Sequence, residues 1–289
     1  MKEVKFYLFF CFAIAAGKEL LVFTPSYSRA DFIEWQYKTL KKFVIGPYRF
    51  LVFNDATDEE KKKDITNKCL KLGVECISVP QIVHSLPILP RRAGEDLNSP
   101  AIRNANVIQL FLNSVGLIYD GPVLLLDSDM FLIREFDYEK ILKSGDCFFL
   151  SQAYANSKGE FFEYFWQGLV LMNMPKLTNK QSISFNPCFI NEAPLDCGGA
   201  TYYYLINNPE VKFVNFGMIR VDDILKNNFY EGFTEDERCL LIPDLRDLEF
   251  HFDCMFLHYH AGSNWDFKTE EFHKFKTEKI KRFIYAITS

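Results

Sequence analysis

Val123-Leu124-Leu125-Leu126-Asp127-Ser128-Asp129-Met130-Phe131-Leu132-Ile133 decides the fold: four apolar residues run into two carboxylates, and a second apolar run follows. A short unbroken apolar segment after the Gly121-Pro122 turn is the pattern of a strand buried on both faces of a parallel or mixed sheet. The two aspartates are spaced i, i+2. Strand residues two apart point the same way, so Asp127 and Asp129 are expected to face one site. Open α/β sheets bind ligands beyond the carboxyl ends of their strands. Two carboxylates at such an edge suit a hard divalent cation carrying phosphate oxygens. A D-x-D tripeptide alone is a weak signal, and its plainer reading is a solvated acidic loop. Its meaning depends on what the other segments bring.

The segments before it alternate. Leu20 to Thr24 is the first strand, broken at Pro25, and Asp31 to Val44 carries Ile33, Tyr37, Leu40 and Val44 as a helical stripe. Ser28 with Asp31 has the form of a capping box. The loop 24–29 therefore joins a strand end to a helix start, a place that favours a phosphate or nucleotide, with Thr24, Ser26 and Arg29 as its contacts. Tyr48 to Phe53 is a second strand ending in Asn54-Asp55. Thr57 to Leu72 is a helix closed by Gly73, and Val74 to Val79 is a third strand stopped by Pro80. The order β-α-β-α-β predicts an α/β fold with a mixed, mostly parallel central sheet and helices on both faces. Asp55, at the second strand's end, is placed to take a ribose or base; the plainer reading is a turn aspartate. Residues 81–98, with Pro87, Pro90, Arg91, Arg92 and Gly94, read as a loop over the site. Ser99-Pro100 opens a helix over Ala101 to Val115, on which Arg103 and Asn106 are neighbours that can be aimed at a ligand.

Beyond the D-x-D strand, Arg134 to Lys143 reads as a short helix and Cys147 to Leu150 as a buried strand. Leu169 to Met172 reads as another strand, with Trp166-Gln167-Gly168 at its mouth. Asp196-Cys197-Gly198-Gly199 is a tight turn into a helix; its glycines permit close approach of a ligand, and Asp196 is a candidate for acceptor binding or catalysis. Near the C-terminus, Phe256 to Asp266 reads FLHYHAGSNWD. His258 and His260 follow an apolar lead-in, and Gly262-Ser263-Asn264 forms a phosphate-sized turn. A lone histidine is more often structural, but two of them beside such a turn, in a chain carrying Asp127 and Asp129, shift the balance toward a metal site with His258 as the ligand. Two carboxylates and an imidazole lean toward Mn²⁺, with Mg²⁺ close behind.

The 289 residues carry thirty Phe and fourteen Tyr, which argues for one large packed domain and against disorder. With a net charge of −5 and no basic block, nucleic acid is a poor partner. Lys2 and Lys5 precede an apolar run from Phe6 to Ala16, the layout of a signal peptide over residues 1–16, with the mature domain over 17–289. That run is too short for a stable membrane span, and it predicts export through the secretory pathway; without cleavage and export the chain would be cytoplasmic. The eight cysteines show no C-x-x-C spacing and read as buried small side chains with one or two disulfides at most.

Taken together, Asp127-Ser128-Asp129, the YFWQGLVLMNM segment and His258-Tyr259-His260-Ala261-Gly262-Ser263-Asn264-Trp265 resemble the GT-A fold glycosyltransferases, nearest to the glycogenin-like and lipopolysaccharide galactosyltransferase group. That group places its C-terminal metal histidine in a motif H-(F/Y)-x-G-x-x-x-x-W; here the glycine is displaced by one position. The resemblance implies a single GT-A (Rossmann-like) domain and a nucleoside-diphosphate sugar donor, with uridine as the base. It implies Mn²⁺ (or Mg²⁺) on Asp127, Asp129 and His258. Thr24, Ser26, Arg29, Asp55, Arg103, Asn106, Ser128, Gly262, Ser263 and Asn264 would line the nucleotide-sugar pocket. Trp166, Gln167, Gly168, Gly198 and Gly199 would lie on the acceptor side, and Asp196 would orient the acceptor hydroxyl of a glycan, lipid-linked or protein substrate. Asp196 is the general base if the enzyme inverts configuration; if it retains, the departing phosphate takes the proton.

Two rivals stand beside this reading. A haloacid dehalogenase-type phosphatase also uses a strand followed by D-x-D, but wants Thr or Val where this chain has Phe131, and three strands precede the motif here. A non-catalytic GT-A-fold glycan-binding protein gains weight from the export signal, because sugar nucleotides are scarce outside the cytosol and secretory lumens.

Overall fold

The computed structural model describes residues 19–85, 99–262 and 268–289. The signal peptide reading (1–16), Arg91 and Arg92, and Ser263 and Asn264 lie outside these residues.

Leu20–Ser26, Tyr48–Asn54, Glu75–Ser78 and Pro122–Leu126 form parallel neighbours, connected through the helices Ala30–Phe43, Glu59–Leu72 and Pro100–Ser114. Cys147–Ala155, Phe161–Asn173 and Phe213–Asn215 extend the sheet to seven strands, in the order 213–215, 147–155, 161–173, 122–126, 20–26, 48–54, 75–78. Of the seven, Phe161–Asn173 alone runs antiparallel to both neighbours. The mixed, mostly parallel sheet is the expected one. Alternation sorts its side chains. Leu21, Phe23, Leu51, Phe53, Val123 and Leu125 pack with Val107, Phe111 and Leu112 of the third helix. Leu20, Val22, Val52, Leu124 and Leu126 pack with Ile33, Leu40, Ile65 and Cys69 of the first two. Helices therefore cover both faces.

Local signals set most helix ends. Asp58 accepts from Lys61 N at the start of Glu59–Leu72, and Gly73 ends it in the left-handed region at φ 68. Ser99 accepts from Ile102 N, with Pro100 in the first turn. The capping box of Ser28 and Asp31 does not form: the helix starts at Ala30 without a side-chain cap, and both carboxylate oxygens of Asp31 take the Arg29 guanidinium, at 2.9 and 2.7 Å. The strand expected at Leu169–Met172 is far longer, so Trp166-Gln167-Gly168 lies inside it rather than at its mouth. Pairing with Cys147–Ala155 shifts register there, between Phe149 and Ser151, as a bulge.

The sequence reading did not anticipate a second sheet. Met218–Arg220, Glu249–His251, Phe256–His258 and Met130–Leu132 pair antiparallel in that order. Its inner residues Phe131, Phe250 and Leu257 pack with Phe32, Trp35 and the C-terminal helix Glu270–Thr288 through Ile280, Phe283 and Ile284. Met130–Leu132 follows the D-x-D motif directly and pairs His258 with Met130, so this sheet carries the C-terminal histidine to the aspartates. All seven described cysteines are free thiols. No helix among the described residues is long and apolar enough to cross a membrane.

Candidate metal centre

The central strand ends at Leu126, and residues 127–130 turn from one sheet into the other, with Met130 N bonded to Asp127 O at 3.2 Å. Asp127 and Asp129 therefore approach each other across a tight turn and not along a strand face. Gln36 holds the turn: its amide donates to the carbonyls of Asp127 (2.7 Å) and Met130 (3.1 Å), and lies 3.4 Å from the Thr24 hydroxyl. Asp127 Oδ1 accepts from Ser128 N at 2.7 Å, and Asp127 N donates to Gly168 O at 2.8 Å.

Asp129 is buried and fully engaged. Oδ2 accepts from Gly262 N at 2.8 Å, and Oδ1 lies 3.3 Å from His258 Nε2. A Cβ on Gly262 would stand 2.6 Å from both Asp129 Cβ and Phe32 Cε2, so only glycine seats the C-terminal turn this close. Arg29, expected on a phosphate, instead supports that turn: it donates to Gly262 O at 3.1 Å and stacks 3.7 Å over the Phe32 ring.

His258 uses its two ring nitrogens in opposite directions. Nε2 faces Asp129, while Nδ1 donates to Glu249 Oε2 at 2.8 Å. The same oxygen accepts from His251 Nε2 at 3.2 Å. Trp166 stacks on His251 at 5.2 Å with planes 12° apart and lies 5.2 Å from the His258 ring. Gly168 makes room for that indole, since a Cβ there would meet it at 2.0 Å. Trp166 thus braces the histidines. Ligand atoms of Glu249, His251 and His258 lie within 4.8 Å of one another, the one such set of three among the described residues, and they are already bonded to each other.

Burial raises Asp127 to about 6, helped by the charge of Asp129. Burial also opposes charge on Asp129 and His258, but each favours the other more strongly: Asp129 is held near 2, and His258 is raised to about 10 by Asp129 and Glu249. In the metal-free chain a His258 imidazolium is the cation that neutralises the aspartates. Asp129 and His258 bring a carboxylate oxygen and an imidazole nitrogen to 3.3 Å, and Asp127 lies near enough to feel both charges; two carboxylates and an imidazole are the donor chemistry of a divalent metal. Glu249 on the far nitrogen is the carboxylate that orients a ligating histidine.

Two outcomes follow. Stability of the metal-free chain should fall as pH rises from about 7 toward 10, as His258 loses the proton that Asp129 and Glu249 hold on it; Asp129 and Glu249 act oppositely at acid pH, His251, His260 and His273 below 6.5, and Lys276 below 10.5. Urea denaturation in chelator should therefore give lower stability at about pH 9 than at about pH 7; equal values would remove the pairing. Glu249→Gln should weaken Mn²⁺ about 10- to 100-fold, read by calorimetric titration, because the orienting charge on His258 is lost. Unchanged affinity would exclude that role.

The nucleotide-side residues gather next to this turn. Asp55 N donates to Ser26 O at 2.8 Å across the parallel pair. Asp55 Oδ1 meets His84 Nε2 at 2.7 Å, its Oδ2 accepts from Arg103 at 2.8 Å, and Asn106 Nδ2 lies 3.4 Å from His84 Nδ1. Arg103 and His84 therefore hold Asp55, and Asn106 backs His84. The Ser26 hydroxyl is buried and without a hydrogen-bond partner in the structure. Tyr27, 40% exposed, lies under the Arg103 guanidinium at 5.4 Å.

Asp196, expected on the acceptor side, is exposed and its Oδ1 accepts from Cys197 N at 2.7 Å. Burial, with the charges of Asp196 and Asp127 nearby, pushes the Cys197 thiol up. Gly198 and Gly199 serve packing: added Cβ atoms would meet Phe165 O at 2.0 Å and Leu195 Cβ at 2.5 Å. His260 sits in the left-handed region at φ 59, not in an extended segment beside His258.

Glu249, His251, Gln36 and His84 escaped the sequence reading. Glu249-Phe250-His251 had a usable signal, two polar residues on one face around a buried Phe.

No family model matches the chain, and no curated protein does. Solved structures similar to it include the galactosyltransferase LgtC in complex with donor and acceptor sugar analogs, at 14% identity over 93% of this chain and 96% of that one, TM-score 0.43. Another is the mannosyltransferase PcManGT from Pyrobaculum calidifontis in complex with GDP-Man and Mn²⁺, at 11% identity over 68% of this chain, TM-score 0.42. A third is the apo bifunctional glycosyltransferase WbbM, at 14% identity over 57% of this chain, TM-score 0.38. The matches span 54% of PcManGT and 33% of WbbM. With every TM-score below 0.5, a functional reading has to rest on this chain's own residues.

Proposed function

We propose that this chain is a metal-dependent GT-A-type glycosyltransferase that moves a sugar from a nucleoside-diphosphate donor to a hydroxyl acceptor. The observation that carries the reading is the convergence of Asp129, His258 and Gly262 at the carboxyl end of the central strand, beside Asp127. Asp127, Asp129 and His258 would hold Mn²⁺ or Mg²⁺. Bound there, the metal would supply Lewis-acid neutralisation of the leaving diphosphate.

The chain's other residues bind and orient. Asp55, fixed by Arg103 and His84, offers a rigid carboxylate to a ribose or base, and the unpartnered Ser26 hydroxyl is a group a nucleotide would satisfy. Tyr27 at the rim presents an aromatic face. Arg29 and Gly262 keep the C-terminal turn on Asp129. Asp196, whose charge reaches the same buried Cys197 thiol as that of Asp127, would orient the acceptor hydroxyl and take its proton if the reaction inverts. Uridine is the proposed base; a glycan, lipid-linked or protein hydroxyl is the proposed acceptor, met in a secretory lumen if residues 1–16 direct export.

A thermal-shift panel of nucleoside diphosphates and their sugars, with and without Mn²⁺, tests this. The true donor should raise the melting temperature only with metal. No shift for any of them, or glycan binding indifferent to chelator with no nucleotide binding, would replace the transferase with a glycan-binding protein. Phosphate release from an aryl phosphate would favour the phosphatase.

A further inference from the structure

A cavity of about 360 Å³, lined by Arg220, Asp222, Lys226, Arg246, Asp247 and His260, adjoins the metal centre without belonging to it. Glu249 connects the two: Oε2 takes His258 Nδ1, and Oε1 takes Arg220 Nε at 3.0 Å. His260 connects them again, its ring centroid 5.7 Å from that of His258.

The lining carries three cations, Arg220, Lys226 and Arg246, against two carboxylates, Asp222 and Asp247. Lys226 and Arg246 share one carboxylate, Asp222, and Arg246 stands 3.7 Å from it, beyond hydrogen-bond range. Arg220 shares Glu249 with two imidazoles. Asp247 gives Oδ2 to the fully buried Lys276 at 2.5 Å, and its Oδ1 is buried without a hydrogen-bond partner. The side chains of Arg220, Lys226 and Arg246 are 53, 66 and 61% exposed, so their charged heads stand in the open cavity instead of being packed away. Among the described residues, the Arg246 guanidinium makes no hydrogen bond, although its planar fork matches two oxygens of a carboxylate or phosphate.

We propose that this cavity binds an oxyanion, a carboxylate or a phosphate monoester, carried by the acceptor. Arg246 and Lys226 grip the anion and Arg220 completes the positive wall. The remainder of the molecule passes His260 toward His258. The anion site stands on the cavity alone; its assignment to the acceptor rests on the transferase reading.

Calorimetric titration of the full chain in chelator with inorganic phosphate, glucuronic acid and glucose tests it. Saturable binding of phosphate, glucuronate or both is expected, and none of glucose; which anion binds identifies the source. Lys226→Gln with Arg246→Gln should weaken binding by about tenfold or more, and Asp222→Asn, which removes the competing carboxylate, should tighten it. Lys226 and Arg246 are exposed and Asp222 is half-buried, and neither variant should alter a Mn²⁺-dependent nucleotide shift. Absence of saturable anion binding, or binding that the double substitution leaves unchanged, overturns the proposal even if the nucleotide shift is present. Anion binding without any nucleotide shift leaves the site standing and removes its assignment to an acceptor.

Discussion

Asp129→Asn is expected to abolish the Mn²⁺-dependent stabilisation by a nucleoside diphosphate while leaving a folded chain. Asparagine keeps the shape and an oxygen for the Gly262 N–H, so the C-terminal turn stays seated. It removes the aspartate that His258 and the Gly262 N–H hold ionised, near 2, despite its burial. Divalent metals need charged oxygen ligands, and the remaining carboxylate, Asp127, has been pushed up to about 6 and is the weaker anion. A ligand present at 100 times its Kd stabilises by about 2.7 kcal/mol, and that whole increment should vanish. His258 keeps its bond to Glu249 and sheds its proton more readily, so the metal-free melting temperature should fall only modestly. Asp127→Asn should retain part of the shift. A nucleotide shift of wild-type size in Asp129→Asn would remove the metal assignment.

The second large effect is on stability. Gly198→Ala should destabilise the fold by about 3 kcal/mol or more, on two independent grounds. Gly198 has φ 93, a conformation L residues rarely adopt. A Cβ there would stand 2.0 Å from the Phe165 carbonyl oxygen. That oxygen belongs to a core strand whose Phe165 ring is fully buried, so it cannot give way. Gly198 is also tied by its N–H to Phe185 O at 2.7 Å and through its carbonyl to Thr201. Gly159 is the control: φ 78, with nothing within 4 Å of an added Cβ. Its replacement by alanine should cost only about 1 kcal/mol, the backbone term alone. Urea denaturation of both variants separates the contributions, and equal losses would show that the Phe165 contact does not matter.

These two residues mark what the sequence revealed. The parallel frame was legible because its strands are short apolar runs punctuated by Pro and Gly, and because Asp58, Gly73 and Ser99 set helix ends by local chemistry. Asp129 and His258 were legible as residue types, and they do meet. What brings them together was not: Met130–Leu132 and Phe256–His258 are three-residue strands, too short for any period, and their pairing is set by partners more than 120 positions away in sequence, as between His258 and Met130. Arg29 and Arg103 read as ligand contacts because an arginine near a strand end is a good phosphate donor. The sequence does not display Asp31 or Asp55 as the partners that claim them. Gly198 signalled room for a ligand, yet the group that approaches it is the chain's own Phe165.

The seating of Gly262 between Asp129 and Phe32 has a consequence for the order in which the protein matures. The four-stranded parallel frame is complete once Leu126 has left the ribosome. The metal centre needs a residue made more than a hundred positions later. A nascent chain therefore carries its acidic turn unclosed until a segment made more than a hundred residues later shuts it. Affinity for the cation should appear only in stalled chains long enough to free Gly262 from the exit tunnel.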